Sequence, residues 1–176
     1  MKNKIRIVYF FSLAGTLIWI GFIFLAPYLK SHSSSLNSVV YALFSPVCHQ
    51  IPERSFFCFG YPLAVCSRCM GIYSGFLAGL GLFPIINGFS SLSLPRTKLF
   101  ILLTIPIGID TIGNLFHIWA TSGLMRFSIG FLWGIILPFY FVIGMAEALM
   151  SFCSGQAFFL FRKAPIEKDK EASLFP

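Results

Sequence analysis

The residues best equipped for chemistry lie in two short runs, Cys48-His49-Gln50-Ile51-Pro52-Glu53-Arg54 and Cys66-Ser67-Arg68-Cys69. With Cys58 between them, they hold four of the chain's five cysteines and one of its three histidines. Thiolates and a neutral imidazole suit a closed tetrahedral site for zinc or another transition metal. The expected ligands are Cys48, His49, Cys66 and Cys69. Neighbouring side chains in extended backbone point to opposite sides, so Cys48 and His49 reach one ion only through a sharp turn. His117 therefore competes for the fourth position. The same residues fit thiol–disulfide exchange, with Cys66 and Cys69 at a helix N-terminus beside Arg68, where both influences favour a thiolate, and Cys48 as resolving partner. A third reading makes the cysteines structural disulfide staples, because counting alone does not assign pairs.

A second group is spaced along a helix. Asp110, Asn114 and His117 recur at intervals of four and three, which puts them on one face. A carboxylate inside an apolar span needs a partner, and Arg126 is the expected counter-ion. Asp110, Asn114 and Arg126 then make a polar cluster that either pins two helices or lines a cavity for an ion or anionic group. Arg54 and Arg68 add a basic mouth.

The elements that must position these residues are membrane helices. The chain has 176 residues, 57% of them hydrophobic and 11% charged, with a mean hydropathy of +0.83. That much apolar surface exceeds what one soluble core can hide. A net charge of +7 could indicate nucleic acid, but the basic residues cluster at the ends of apolar runs, where lipid headgroups account for them and nucleic acid is not needed. The expected architecture is an all-α bundle of four spans, about 7–29, 70–89, 99–119 and 125–150, each near the twenty residues that cross a bilayer. The first run is too long for a signal peptide and lacks a cleavage pattern, so it reads as an uncleaved span. Residues 1–163 form a single membrane domain, with a Cys/His loop over 30–69 and a charged tail over 164–176. Residues 38–47 suit a short interfacial helix. Gly71, Gly75 and Gly79 share one face of the second span, matched by Gly130 and Gly134 on the fourth, the pattern of closely packed membrane helices.

Orientation follows from the basic residues. With the N-terminus inside, Lys2, Lys4, Arg6, Arg96, Lys98, Arg162, Lys163, Lys168 and Lys170 face the cytoplasm, nine of the thirteen. This excess favours cytoplasmic termini and an external cysteine loop.

Several of these residues form a recognisable pattern: Cys48-His49-Gln50, Pro52-Glu53-Arg54-Ser55-Phe56, Cys66-x-Arg68-Cys69-x-Gly71-Ile72-Tyr73-x-Gly75, then Pro106-x-x-x-Asp110, Arg126 and Gly130. The pattern, over about residues 47–134, resembles the predicted membrane proteins of domain of unknown function 2085. The resemblance implies a small multi-pass protein of the bacterial inner (cytoplasmic) membrane, with no activity to transfer. Asn114 departs from the Gln expected in that family, and Cys58 is an addition outside the core set.

No phosphate loop, nucleophile elbow or H-E-x-x-H pair is present, so no motif assigns an enzymatic reaction. Six acidic residues, three of them in the tail, are too dispersed for a carboxylate dyad. A small-solute transporter with disulfide staples, or a scaffold, stays open. Four spans would need a homo-oligomer to enclose a wide path. The leading expectation is transition-metal binding on the external face.

Overall fold

The computed structural model describes residues 2–86, 97–116 and 121–153, and these are mostly helical. Five helices follow in order: α1 Lys2–Ser31, α2 Leu36–Phe44, α3 Ser67–Ile86, α4 Thr97–Leu115 and α5 Gly123–Cys153. Among the described residues, three helices are long and apolar enough to cross a membrane, over Ile5–Ser31, Ser67–Ile86 and Gly123–Leu149. Their outer faces carry Ile7, Phe10, Phe11, Ile85, Ile86, Leu132 and Phe141, all exposed. Apolar side chains in such numbers are stable facing lipid and unfavourable facing water.

The glycines set the packing. A Cβ on Gly71, Gly75 or Gly79 would fall on the backbone carbonyl of Phe127, Phe131 or Ile135, and one on Gly130 or Gly134 on that of Arg68 or Ile72. The expected glycine faces of α3 and α5 therefore meet backbone to backbone, as small residues allow where lipid provides no hydrophobic drive. Position numbers rise together along this seam, so α3 and α5 run parallel. α1 runs opposite to both. Its start, through Ile5, Val8 and Tyr9, packs on Leu80, Phe83, Phe139 and Val142, while further along Trp19 meets Tyr73 edge-on at 6.1 Å. α4 is also opposed to α5, since Phe100 sits 5.1 Å from the Tyr140 ring, Thr104 accepts the Trp133 indole N–H at 3.0 Å, and Asn114 lies beside Arg126.

At the end where α1 finishes and α3 begins, residues 32–66 form a cap. α2 is shorter than the expected interfacial helix and ends at Phe44; Ser45 keeps helical dihedrals (φ −61°, ψ −33°), but Pro46 has no N–H with which to extend the helical hydrogen bonds. The rest of the expected Cys/His loop is itself structured. A 3-10 turn spans Pro52–Arg54, and a two-stranded hairpin pairs β1 Phe57–Cys58 with β2 Tyr61–Pro62. Its two-residue loop, Phe59-Gly60, has positive φ at both positions (54° and 80°), the type I′ requirement that glycine meets without strain. Tyr28 stacks edge-on against Phe59, and Lys30 sits over the Tyr61 ring at 5.1 Å, tying the hairpin to α1. A second core of Ile23, Ala26, Val40, Phe44, Leu63, Ala64 and Val65 fixes the cap on the helices. The chain between the expected second and third spans lies largely outside the described residues, and His117 and the tail lie wholly outside them.

Candidate metal and polar site

The cap delivers Cys48 to the start of α3. Just after α2 the chain is still coiled, with the Cys48 N–H donating to the Phe44 carbonyl at 3.0 Å. Gln50 then takes a left-handed conformation (φ 51°), and its side-chain amide donates to the Tyr41 carbonyl at 2.6 Å. Cys48 goes inward at 6% exposure, whereas His49 is exposed.

Across from Cys48, the Cys66 carbonyl accepts the Met70 N–H, which makes Cys66 the N-cap of α3 and puts Cys69 three residues on, in its first turn. The spacing C-x-x-C thus places both sulfurs at the positive end of the helix dipole. The Sγ atoms of Cys48, Cys66 and Cys69 all lie within 4.8 Å of one another. The Cys66 N–H donates to the Cys48 sulfur at 3.2 Å. Hydrogen bonds from the Cys66 and Cys69 thiols, joined by the backbone N–H groups of Cys66 and Gln50, hold the Cys48 thiol far below its ordinary pKa and favour the thiolate. Cys58, in β1, is not part of this trio. Nor is His49, although it lines the same cavity.

Beside the sulfurs is a cavity of about 330 Å³, lined by Val47, His49, Ile51 and Thr111 together with the sulfur and arginine side chains. Arg54, Arg68, Arg126 and Asn114 all reach it, so the expected basic mouth and much of the polar cluster share one space.

The ion pairing differs from expectation. Asp110 is bound by Arg68, not by Arg126. Arg68 sits on the first turn of α3 and projects toward α4, where it also donates to the Thr111 hydroxyl at 3.2 Å. Arg126 is one turn into α5, whose N-terminus Ser122 caps by accepting the Met125 N–H. From there its Nη2 donates to Asn114 Oδ1 at 2.7 Å and its Nε to Thr121 Oγ1 at 3.1 Å. Both acceptors in turn donate to Asp110 Oδ1, Asn114 at 2.9 Å and Thr121 at 2.8 Å. Asn114 and Thr121 therefore both act as adaptors, each accepting from the Arg126 guanidinium and donating to the Asp110 carboxylate, as an amide and a hydroxyl can. Thr121 was not among the expected site residues, and Arg68, expected in the basic mouth, also joins the polar cluster. A hydroxyl residue just ahead of the apolar run at Gly123 was the available signal for Thr121. Nothing in the spacing distinguished Arg68 from Arg126 as the partner of Asp110.

A bundle of lipid-facing helices, capped by a folded loop that gathers three thiols over an arginine-lined cavity, defines the class as an integral membrane protein with a candidate metal centre. The chain belongs to the family described as Predicted membrane protein (DUF2085), whose model matches residues 48–140. It is 36% identical over 138 residues to an uncharacterised protein of Methanocaldococcus jannaschii, covering 75% of this chain and 88% of that one. It is 38% identical over 88 residues to an uncharacterised protein of Methanothermobacter thermautotrophicus, covering 49% and 77% respectively. Both relatives are archaeal, so the bacterial setting expected from the resemblance is not supported. No solved structure matches the chain.

Proposed function

We propose that the protein binds one transition-metal ion, zinc-like in its preferences, through Cys48, Cys66 and Cys69. The observation that carries this reading is the approach of three sulfurs to within 4.8 Å of one another from two segments eighteen residues apart. Three sulfurs this close suit a shared soft ion, whereas a disulfide uses two and leaves one over. A tetrahedral ion with three thiolates has one position left, for which His49 on the cavity wall and His117 are the protein candidates.

The test is elemental analysis of full-length protein purified without reductant or chelator. Zinc or a similar ion is expected at close to one per chain, falling at least about tenfold in Cys66→Ser, since removing a thiolate disrupts a structural site. Metal-free protein with a reducible bond between Cys66 and Cys69 would defeat the reading in favour of thiol–disulfide exchange or a staple.

The membrane setting proposed with it is one domain over 1–163 with four spans, α4 being the third. α3 and α5 run parallel, so the chain between them has to return across the bilayer. α4 is opposed to α5 and has nineteen residues, which at roughly 1.5 Å each extend about 28 Å, close to the hydrocarbon thickness. The charge bias places both termini and residues 164–176 in the cytoplasm and the cap, within 30–69, outside. A membrane-impermeant thiol reagent applied to intact cells should label Ser35→Cys, at an exposed site in the cap, above the parent level. Labelling gained only after permeabilisation would reverse the orientation.

A further inference from the structure

We infer that the arginine-lined cavity beside the three sulfurs is a binding site for a small oxyanion, a carboxylate or phosphate group, gripped by Arg126 and Arg54. The argument begins with unequal charge. Three guanidiniums line the space, and among the described residues the carboxylate that reaches them, Asp110, is engaged by Arg68. Glu53, on the same 3-10 turn as Arg54, is exposed and does not line the cavity. With Cys48 as the thiolate and no metal, the sulfurs, arginines and Asp110 together carry one net positive charge. With three thiolates holding a divalent ion they still carry one.

The unbalanced charge falls on a buried group. Arg126 is only 7% exposed, and the described residues that accept from it, Asn114 Oδ1 and Thr121 Oγ1, are uncharged. Withdrawing a guanidinium from water without a counter-ion is costly, and a planar fork of donors matches the paired oxygens of a carboxylate or phosphate. The N-termini of α3 and α5 meet beside this space, a Cβ on Gly123 falling 3.8 Å from Ser67 Oγ, and add positive potential to the side chains. At about 330 Å³ the cavity is at the small end for ligand sites. Val47 and Ile51 on its wall leave room for a short apolar body behind the anionic group.

The anionic group has two sources, a solute or a lipid headgroup, because the cavity is built from the ends of lipid-facing helices. Full-length protein in an uncharged detergent is titrated calorimetrically with inorganic phosphate and with acetate. It is also examined by native mass spectrometry after release from nanodiscs of phosphatidylglycerol. Binding of either free anion identifies a solute site, whereas 1:1 retention of phosphatidylglycerol without free-anion binding identifies a headgroup site. In both cases Arg126→Gln should weaken binding at least about tenfold, the loss expected for one charge-assisted hydrogen-bonding partner. Arg54→Gln, at a half-buried cap position less critical to folding, should weaken it in the same direction, and Lys98→Gln, exposed at the far end of α4, should not. No bound anion or lipid in the folded wild type, or binding unchanged in Arg54→Gln and Arg126→Gln, overturns the inference. Repeating the titration on Cys66→Ser separates the two proposals, because the oxyanion should still bind where the metal does not.

Discussion

Replacing Asp110 by alanine is expected to cost about 3–5 kcal/mol of stability, the range for breaking a buried ion pair from one side. Asp110 is 4% exposed and receives the Arg68 guanidinium, the Asn114 amide and the Thr121 hydroxyl. Without it, Arg68 and Arg126 lose the carboxylate that serves the first directly and the second through two intermediaries. Thermal or denaturant unfolding in detergent measures the loss, and a double-mutant cycle locates it. Asp110→Ala with Arg68→Met should be less damaging than the summed singles by at least about 1 kcal/mol, because the second change removes a charge the first has stranded. Additive effects would mean that the pair is not coupled.

The second large effect belongs to the glycine seam. Gly75→Val should destabilise by about 3 kcal/mol or more, at or beyond the upper end for overpacking, because the Phe131 carbonyl blocking the new side chain is backbone and has no rotamer to adopt. Gly21→Ala in α1 is the matched control. Nothing lies within 4 Å of a Cβ there, and alanine's better helix propensity, worth up to about 1 kcal/mol, should leave stability unchanged or raised. Combining Gly75→Ala with Gly134→Ala should not be additive, since a helix pair already forced apart by one side chain has room for the other.

The seam was legible before any coordinates, because small residues four apart on two apolar runs have one efficient packing mode in lipid. The convergence of the two cysteine runs was legible as an expectation for a similar reason. C-x-x-C at the start of a helix fixes two sulfurs locally, and a cysteine just before a proline-containing turn has little chain in which to stray. What the spacing did not give was the cap. Its hairpin depends on Phe59 occupying a left-handed conformation usually reserved for glycine, asparagine or aspartate, so the aromatic residue concealed the turn. The partner of Asp110 was illegible for a different reason. Arg68 and Arg126 each stand near the start of an apolar helix, and the choice between them rests on how α4 lies against its neighbours, a tertiary fact with no periodicity of its own. Asn114 was expected in one polar cluster with Asp110 and Arg126, but its place as a bridge between them depends on how α5 brings Arg126 against α4.

These features form one device. The parallel α3 and α5 bring two helix N-termini together, α4 supplies the carboxylate and amide that partly neutralise them, and the cap closes Cys48 over Cys66 and Cys69. The central claim is that these three sulfurs share one ion, and zinc K-edge X-ray absorption on the zinc-loaded, reductant-free protein tests it most directly. Three sulfur neighbours are expected at about 2.3 Å, dropping to two in Cys48→Ser. A shell of only oxygen and nitrogen, or a zinc environment unchanged by Cys48→Ser, would contradict it.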